Sequence, residues 1–180
     1  MRSDAARNLD TILRTGARLL AEDPGTSITA IAAEAGVSRN AVHRRFATRE
    51  ALRDAVLHTK LDAIDAILGE ARLDRAPVAV ALHRFVEGII AVMRRYPIDQ
   101  DQMRCDAESY GRMLAQRERI AAFLQRAMDE GMIRSDLPDG LAQALLHQIV
   151  MLLGRQFRDL DAPEVADIAV DTLLVGIGGS

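Results

Sequence analysis

The fold is decided by residues 27–46, whose sequence is SITAIAAEAGVSRNAVHRRF. Ser27 is a typical helix N-cap, because its hydroxyl can accept a hydrogen bond from an amide of the first turn. The apolar residues that follow recur at helical spacing, and they are Ile28, Ile31, Ala32 and Ala35. Gly36 comes directly afterwards and suits a helix end that needs a left-handed residue. The first half of the stretch therefore predicts a short helix that ends in a tight turn.

The second half predicts another short helix with polar, donor-rich side chains on its exposed surface. Ser38 is placed to cap this helix, and Val42 and Phe46 form its inward face. The side chains left for the outside are Arg39, Asn40, His43, Arg44 and Arg45. Arg pairs with guanine edges and Asn with adenine edges, while Arg and His also bind phosphates. The pattern indicates a helix-turn-helix whose second helix enters a major groove. The alternative is a solvated basic face on a helical hairpin.

Charge is divided unevenly along the chain. The 180 residues carry a net charge of −3 at pH 7. Residues 1–60 contain ten basic and seven acidic side chains, a net charge of +3, whereas residues 61–180 carry a net charge of −6. Such a split is typical of a nucleic-acid-binding part attached to an acidic body, although chance also produces differences of this size.

Composition and periodicity both favour an all-α fold. The chain is 49% hydrophobic and 27% charged, as in ordinary globular proteins, and it has no Trp, two Tyr and four Phe. This is fewer aromatic residues than a sheet-rich protein normally uses. Between the five prolines, apolar residues recur at three- and four-residue spacing. We predict nine helices, at residues 5–22, 28–35, 39–46, 49–72, 77–95, 100–112, 114–131, 138–157 and 162–176.

Several classes of site find no support in the sequence. The one cysteine, Cys105, can form neither an intramolecular disulfide nor a cysteine-based zinc site. The four histidines lack the i, i+4 pairing of zinc-binding helices, and there is no glycine-rich phosphate loop or nucleophile elbow. We therefore expect no metal, no cofactor and no enzymatic activity.

The chain also lacks the features of a secreted or membrane protein. Its N-terminus is polar and has no apolar signal-peptide core. The longest uncharged stretch, residues 140–154, is shorter than the ~20 apolar residues that a membrane span needs. We expect a cytoplasmic protein with no membrane partner.

Residues 5–60 resemble the DNA-binding domain of TetR/AcrR-type transcriptional regulators. The similarity lies in Ile31-Ala32-x-x-Ala35-Gly36-Val37-Ser38 and in Phe46-x-x-Arg49-Glu50-x-Leu52. The first helix contributes Arg7, Ile12, Leu13, Ala17 and Leu20. The resemblance implies base contacts from Arg39, Asn40 and Arg44. It also implies phosphate contacts from Thr29, Ser38, His43, Arg45 and Arg49.

Three residues depart from the family pattern. Asn40 stands where the family usually has Gly or another small residue, His43 where it has Tyr, and Arg49 where it has Lys. His43 has a shorter reach to a phosphate, and its charge changes near neutral pH. Arg49 keeps a permanent cation, so its phosphate contact is expected to survive.

The resemblance implies two domains. Residues 1–48 are expected to form an N-terminal three-helix helix-turn-helix DNA-binding domain. Residues 49–180 are expected to form a C-terminal six-helix ligand-sensing and dimerisation domain, to which the fourth helix, 49–72, is the connector.

The last two predicted helices are apolar around more than half of their circumference, so each must bury two sides. Two such helices from each of two chains make a four-helix interface, and a two-fold homodimer is the commonest solution. The interface candidates are Leu145, Ile149, Leu152, Leu153, Ile168 and Leu173. The alternative is a self-contained bundle core.

The family layout also implies a small-molecule pocket in the second domain. Adaptable side chains on the candidate helices are Met93, Tyr96, Met103, Cys105, Tyr110, Met113, Phe123, Met128, His147 and Met151. Met-rich linings accept varied apolar ligands, but each of these residues is also expected simply as core filler. For His147 the commoner explanation is a hydrogen-bonded core histidine, and Cys105 is a redox sensor only if it is exposed.

The sequence therefore predicts a ligand-responsive, DNA-binding transcriptional regulator. We expect a repressor that binds a palindromic operator in double-stranded DNA as a homodimer and is released by a small-molecule effector. The alternative from another class is a helical protein-interaction module whose basic hairpin docks an acidic partner. A small α-helical enzyme is disfavoured by the missing catalytic groups.

Overall fold

A computed structural model describes residues 2–98 and 106–178, and in these ranges the protein consists of helices with no strand longer than one isolated bridge. The all-α prediction is confirmed. The helices are α1 (Arg2–Glu22), α2 (Ile28–Glu34), α3 (Arg39–His43), α4 (Arg49–Glu70), α5 (Val78–Arg95), α6 (Ala107–Asp129), α7 (Leu141–Gln156) and α8 (Ala162–Ile177).

The described residues contain one helix fewer than the predicted nine. We predicted separate helices at 100–112 and 114–131, but α6 runs without a break from Ala107 to Asp129. No proline stands between them, and Gly111 costs a helix only about 1 kcal/mol, which does not interrupt it. The predicted start at residue 100 lies outside the described residues. In its described part the second predicted domain therefore has five helices, α4 to α8, where six were predicted.

The described residues divide into two compact units, and the first consists of residues 2–61, 95–98 and 106–109. Its core is built from α1 to α4, and its deeply buried side chains include Ile12, Ala17, Ile31, Val42, Leu52 and Val56. Within this unit, the last residue of α5 and the segment after it are held to α1 and α4 by two polar contacts. Arg95 Nη2 donates to Asp10 Oδ1 at 2.5 Å, and the buried Lys60 donates through Nζ to the Ile98 carbonyl.

The second unit consists of residues 62–94 and 110–178. Its core includes Leu68, Leu82, Ile90, Phe123, Val165 and Leu173. α4 and α5 cross closely at Gly88, where an added Cβ would lie 2.8 Å from Cγ2 of Ile67.

Polar contacts hold the helices of this second unit together. Arg112 of α6 pairs with Asp62 and Asp65 of α4, with N–O distances of 2.7 Å. Arg94 of α5 donates to the carbonyls of Phe157 and Leu160, both at 2.8 Å, and so holds the turn between α7 and α8. No helix in the described residues is both long and apolar enough to cross a membrane.

Candidate DNA-binding surface

The turn between α2 and α3 is built by local hydrogen bonds that the sequence predicts. Ser27 Oγ accepts from the Ala30 amide at 3.1 Å, and Ser38 Oγ accepts from the Ala41 amide at 3.2 Å, so each serine caps its helix. Gly36 has a φ of 66°, in the left-handed region that favours glycine. Both predicted N-caps and the predicted turn residue are therefore found in these roles.

Burial separates the inner and outer faces of this motif. Ile31 and Val42 are fully buried, and Phe46 is 8% exposed. The five donor-rich side chains of the second helix are all exposed: Arg39, Asn40, His43, Arg44 and Arg45. α3 ends at His43 rather than at the predicted residue 46, because Arg44 is its C-cap and the chain then turns. No acidic residue occurs between Arg39 and Arg49, so this surface is uniformly basic.

The predicted phosphate contacts lie on or beside the same motif. Thr29 of α2 and Ser38 are exposed, and the Ser38 hydroxyl keeps its donor hydrogen while it accepts the Ala41 amide. Arg49 is half-buried at the start of α4, where its Nη2 lies 3.1 Å from Glu50 Oε1. This ion pair with Glu50 was missed in the sequence, although the two residues are adjacent.

The candidate pocket residues lie in very different environments. Met113, Phe123 and Tyr96 are buried, whereas Met93, Met128 and Met151 are half-buried. Tyr110 is 55% exposed and His147 is also exposed, so the prediction of His147 as a hydrogen-bonded core histidine was wrong. The wide apolar surface of α7 gave no indication of which side faces outwards. Met103 and Cys105 lie outside the described residues.

The candidate interface residues of α7 and α8 are also divided by burial. Leu152 is 49% exposed and Ile168 is 43% exposed. Leu145 and Ile149 are half-buried, whereas Leu153 and Leu173 are buried within the protomer and fix the helix pair from inside. We had not singled out Val175 as an interface candidate, yet it is 88% exposed and lies seven residues after Ile168, on the same face of α8.

Metal binding finds no support in the described parts of the chain. No group of three or more His, Cys, Asp or Glu side chains there is arranged to hold a metal ion.

The amino-acid sequence of residues 12–56 matches the tetR family of bacterial regulatory proteins. This match covers α2, the turn and α3, together with most of α1 and the first part of α4. The chain belongs to the TetR family. It is therefore a DNA-binding transcriptional regulator of the TetR type, which confirms the predicted class and distinguishes the protein from an enzyme. No curated protein sequence is significantly similar to the chain.

Solved TetR-type structures share the fold over nearly the whole chain. LfrR from Mycobacterium smegmatis, in complex with proflavine, is 25% identical; the alignment covers 95% of this chain and 97% of LfrR, with a TM-score of 0.71. The ketosteroid regulator KstR2 of Mycobacterium tuberculosis is 22% identical, with 94% of each chain covered and a TM-score of 0.79. AibR, in complex with isovaleryl coenzyme A and operator DNA, is 20% identical, with coverages of 93% and 98% and a TM-score of 0.70.

Proposed function

We propose that this TetR-family regulator is a homodimeric, ligand-responsive repressor that binds a palindromic operator and is released by a small-molecule effector. The observation that carries the proposal is the exposed, uniformly basic surface of α3 within a correctly capped helix-turn-helix. Family membership favours DNA over an acidic protein as the partner of this surface.

The exposed side chains take two kinds of contact in this proposal. Base edges in the major groove are read by Arg39, Asn40 and Arg44, since Arg can donate two hydrogen bonds to guanine, whereas Asn can both donate to adenine and accept from it. Backbone phosphates are bound by Thr29, Ser38, His43, Arg45 and Arg49. Phosphate contacts fix the position of the protein on the duplex, and the base contacts supply the sequence preference.

Dimerisation is supported by the apolar residues that α7 and α8 leave exposed. Two neighbouring helices expose three large apolar side chains, Leu152, Ile168 and Val175. We expect another protein surface to cover an apolar patch of this kind. A second copy of the same helix pair provides it through a two-fold axis. Two recognition helices then meet successive major grooves, which are about 34–36 Å apart.

Release by an effector follows from a shift between two conformations. An effector changes DNA affinity only if it binds the two conformations unequally, and DNA then changes effector affinity by the same factor. α4 is a single helix that contributes residues to both compact units, so it is one covalent route for this coupling. The related fold of LfrR is known with proflavine, and that of AibR with isovaleryl coenzyme A and operator DNA.

The test is an electrophoretic mobility shift with DNA fragments from upstream of the protein's own gene. We expect a specific complex on at least one fragment, with an affinity that falls steeply as salt rises. A protein that binds all fragments equally and weakly would instead be an interaction module with a basic surface. Binding to none of them, or without sequence preference, contradicts the proposal.

A further inference from the structure

A cleft of about 400 Å³ lies on the helix-turn-helix unit, between the N-terminal half of α1 and α3. Six residues line it: Asn8, Ile12, Val37, Ala41, Arg44 and Arg45. Ile12 is buried, and Val37 and Ala41 are half-buried, so the floor of the cleft is apolar. Its polar residues, by contrast, are all exposed, and none of the six carries a negative charge.

The cleft adjoins the face of α3 that is proposed to read bases. Arg44 lies three residues after Ala41 and four residues after Asn40, so at helical spacing it is a neighbour of both. The floor of the cleft and the base-reading face therefore meet along Arg44.

The geometry of DNA determines which part of the duplex lies against a cleft beside the recognition helix. An α-helix with its side chains is about 10–12 Å across, and the major groove is about 12 Å wide. A helix seated in the groove therefore fills it, and the surface beside the helix faces one of the two sugar–phosphate backbones.

We propose that this cleft holds a segment of the operator's sugar–phosphate backbone, with the Asn8 amide as a phosphate ligand contributed by α1. The deoxyribose lies on Val37 and Ala41, and the phosphate accepts hydrogen bonds from the amide of Asn8 and the guanidinium of Arg45. This assignment rests on the proposed DNA binding and adds Asn8 to the contacts that the family resemblance implies.

The chemistry of the cleft matches this occupant. A sugar–phosphate segment has an apolar sugar face next to a negative charge, and the cleft has an apolar floor next to two arginines and an amide donor. Burying the sugar face supplies a small hydrophobic gain beside the charge-assisted hydrogen bonds. A free small anion with an apolar part shares some of these features, so the test includes it.

The decisive variant adds a charge rather than removing a contact. Asn8 is exposed, so Asn8→Lys is compatible with the fold. If a phosphate sits in the cleft, the new cation releases one further counterion, and the slope of log K against log salt steepens by about 0.9. Affinity must rise equally for a duplex selected by the wild type from a randomised library and for a scrambled duplex of the same length, because a backbone contact carries no sequence information.

The matched control is Ala21→Lys, which places the same charge on the same helix. Ala21 is exposed and lies about 20 Å from Asn8 along the axis, well beyond the ~8 Å screening length at physiological salt. We expect wild-type affinity and slope for this variant. The opposite change, Asn8→Asp, places a carboxylate against the phosphate and should weaken binding of both duplexes about tenfold.

Three results overturn the inference: Asn8→Lys with the wild-type slope, an equal gain in the Ala21→Lys control, or a gain confined to the selected duplex. Excess benzoate provides the small-anion arm. If benzoate binds the wild type but not Asn8→Asp, and binds equally well when the wild type is saturated with operator DNA, a small anion occupies the cleft and the assignment to DNA is wrong. Failure of the wild type to bind any duplex contradicts the proposed function itself and is thereby distinguished from these outcomes.

Discussion

The guanidinium of Arg49 and the carboxylate of Glu50 form an ion pair at the start of α4, with Nη2 and Oε1 3.1 Å apart. The pKa of Glu50 lies below its ordinary value, mainly because its own backbone amide donates to the carboxylate and also because Arg49 does. Arg49 is a proposed phosphate contact, so Glu50 competes with DNA for the same cation.

Glu50→Gln should therefore tighten DNA binding. The substitution leaves a side chain of the same size, frees the Arg49 guanidinium and removes a negative charge near the phosphates. Exposed ion pairs contribute at most about 1 kcal/mol, so we expect a gain of up to about fivefold in affinity. Fluorescence anisotropy with a labelled operator measures it. Glu70→Gln makes the same change at the exposed last residue of α4 and should leave affinity unaltered. Weaker binding by Glu50→Gln than by Glu70→Gln would contradict the competition.

Arg39→Ala and Arg49→Ala should both weaken DNA binding, but with different effects on sequence preference. Arg39 is a proposed base contact, so its loss should relax the preference at one operator position, where it costs about 1–3 kcal/mol. Arg49 is a proposed phosphate contact, so its loss should weaken all sequences alike and reduce the salt slope by about 0.9. Binding of both variants to a randomised operator library checks this, and identical preference profiles would show that the roles are wrongly assigned.

The parts of the fold that were predictable from sequence are those determined by local chemistry. Ser27, Gly36 and Ser38 act through hydrogen bonds and dihedral angles within a few residues, so the turn and the two caps were predicted correctly. The exposed basic side chains of α3 followed from the same periodicity, because Val42 and Phe46 identify the inner face.

The parts that were not predictable depend on contacts between distant segments. The cleft needs Asn8 of α1 to meet Ala41 and Arg44 of α3, and no sequence pattern relates these positions. The exposed position of His147 follows from the side of α7 that packs inwards, which an apolar helix does not reveal. α6 is continuous because no proline interrupts it, and a weak helix former such as Gly111 does not by itself end a helix.

Gly88→Ala should destabilise the protein, although alanine is the better helix former. A Cβ at Gly88 would lie 2.8 Å from Cγ2 and 2.9 Å from Cγ1 of Ile67, two atoms held by a stiff branched side chain. Overpacking costs about 1–3 kcal/mol and outweighs the gain of about 1 kcal/mol in helix propensity. Gly111→Ala has open space at its Cβ and should gain stability. Thermal unfolding of both variants measures the difference in stability. Adding Ile67→Ala to Gly88→Ala should reduce the loss of stability, because it removes the atoms that the new Cβ meets. Equal melting temperatures for the two single variants would refute the clash.

Asp65→Asn should remove a pH-dependent part of the stability. Burial would raise the pKa of Asp65, but hydrogen bonds from Arg112 and Gln116 outweigh it and hold the pKa below the ordinary value of 3.8. Because the folded pKa is lowered, this stabilisation is present above pH 3.8 and is lost as the pH falls through the folded pKa.

Melting curves between neutral and acidic pH check this expectation. The free energy of unfolding of the wild type should exceed that of Asp65→Asn by up to about 1 kcal/mol at neutral pH, and this difference should shrink below pH 3.8. Asp74→Asn is the control, since that carboxylate is 75% exposed on a surface turn. If the stability difference between wild type and Asp65→Asn stays constant at every acidic pH measured, the effect comes from packing instead.

Val175→Asp should convert the dimer to monomers without unfolding the protomer. Val175 is 88% exposed in the single chain, so the carboxylate costs the protomer little, but in the proposed interface it would be an unpaired charge buried away from water. The two-fold axis repeats this cost in both copies of the contact. Val80→Asp makes the same substitution at a 42% exposed valine of α5, outside the proposed interface, and should remain dimeric. Sedimentation velocity gives the molecular mass. Operator binding should weaken when the dimer is lost, because one helix-turn-helix meets only a half-site. A dimeric Val175→Asp protein with wild-type DNA affinity would place the interface elsewhere than on this face of α8.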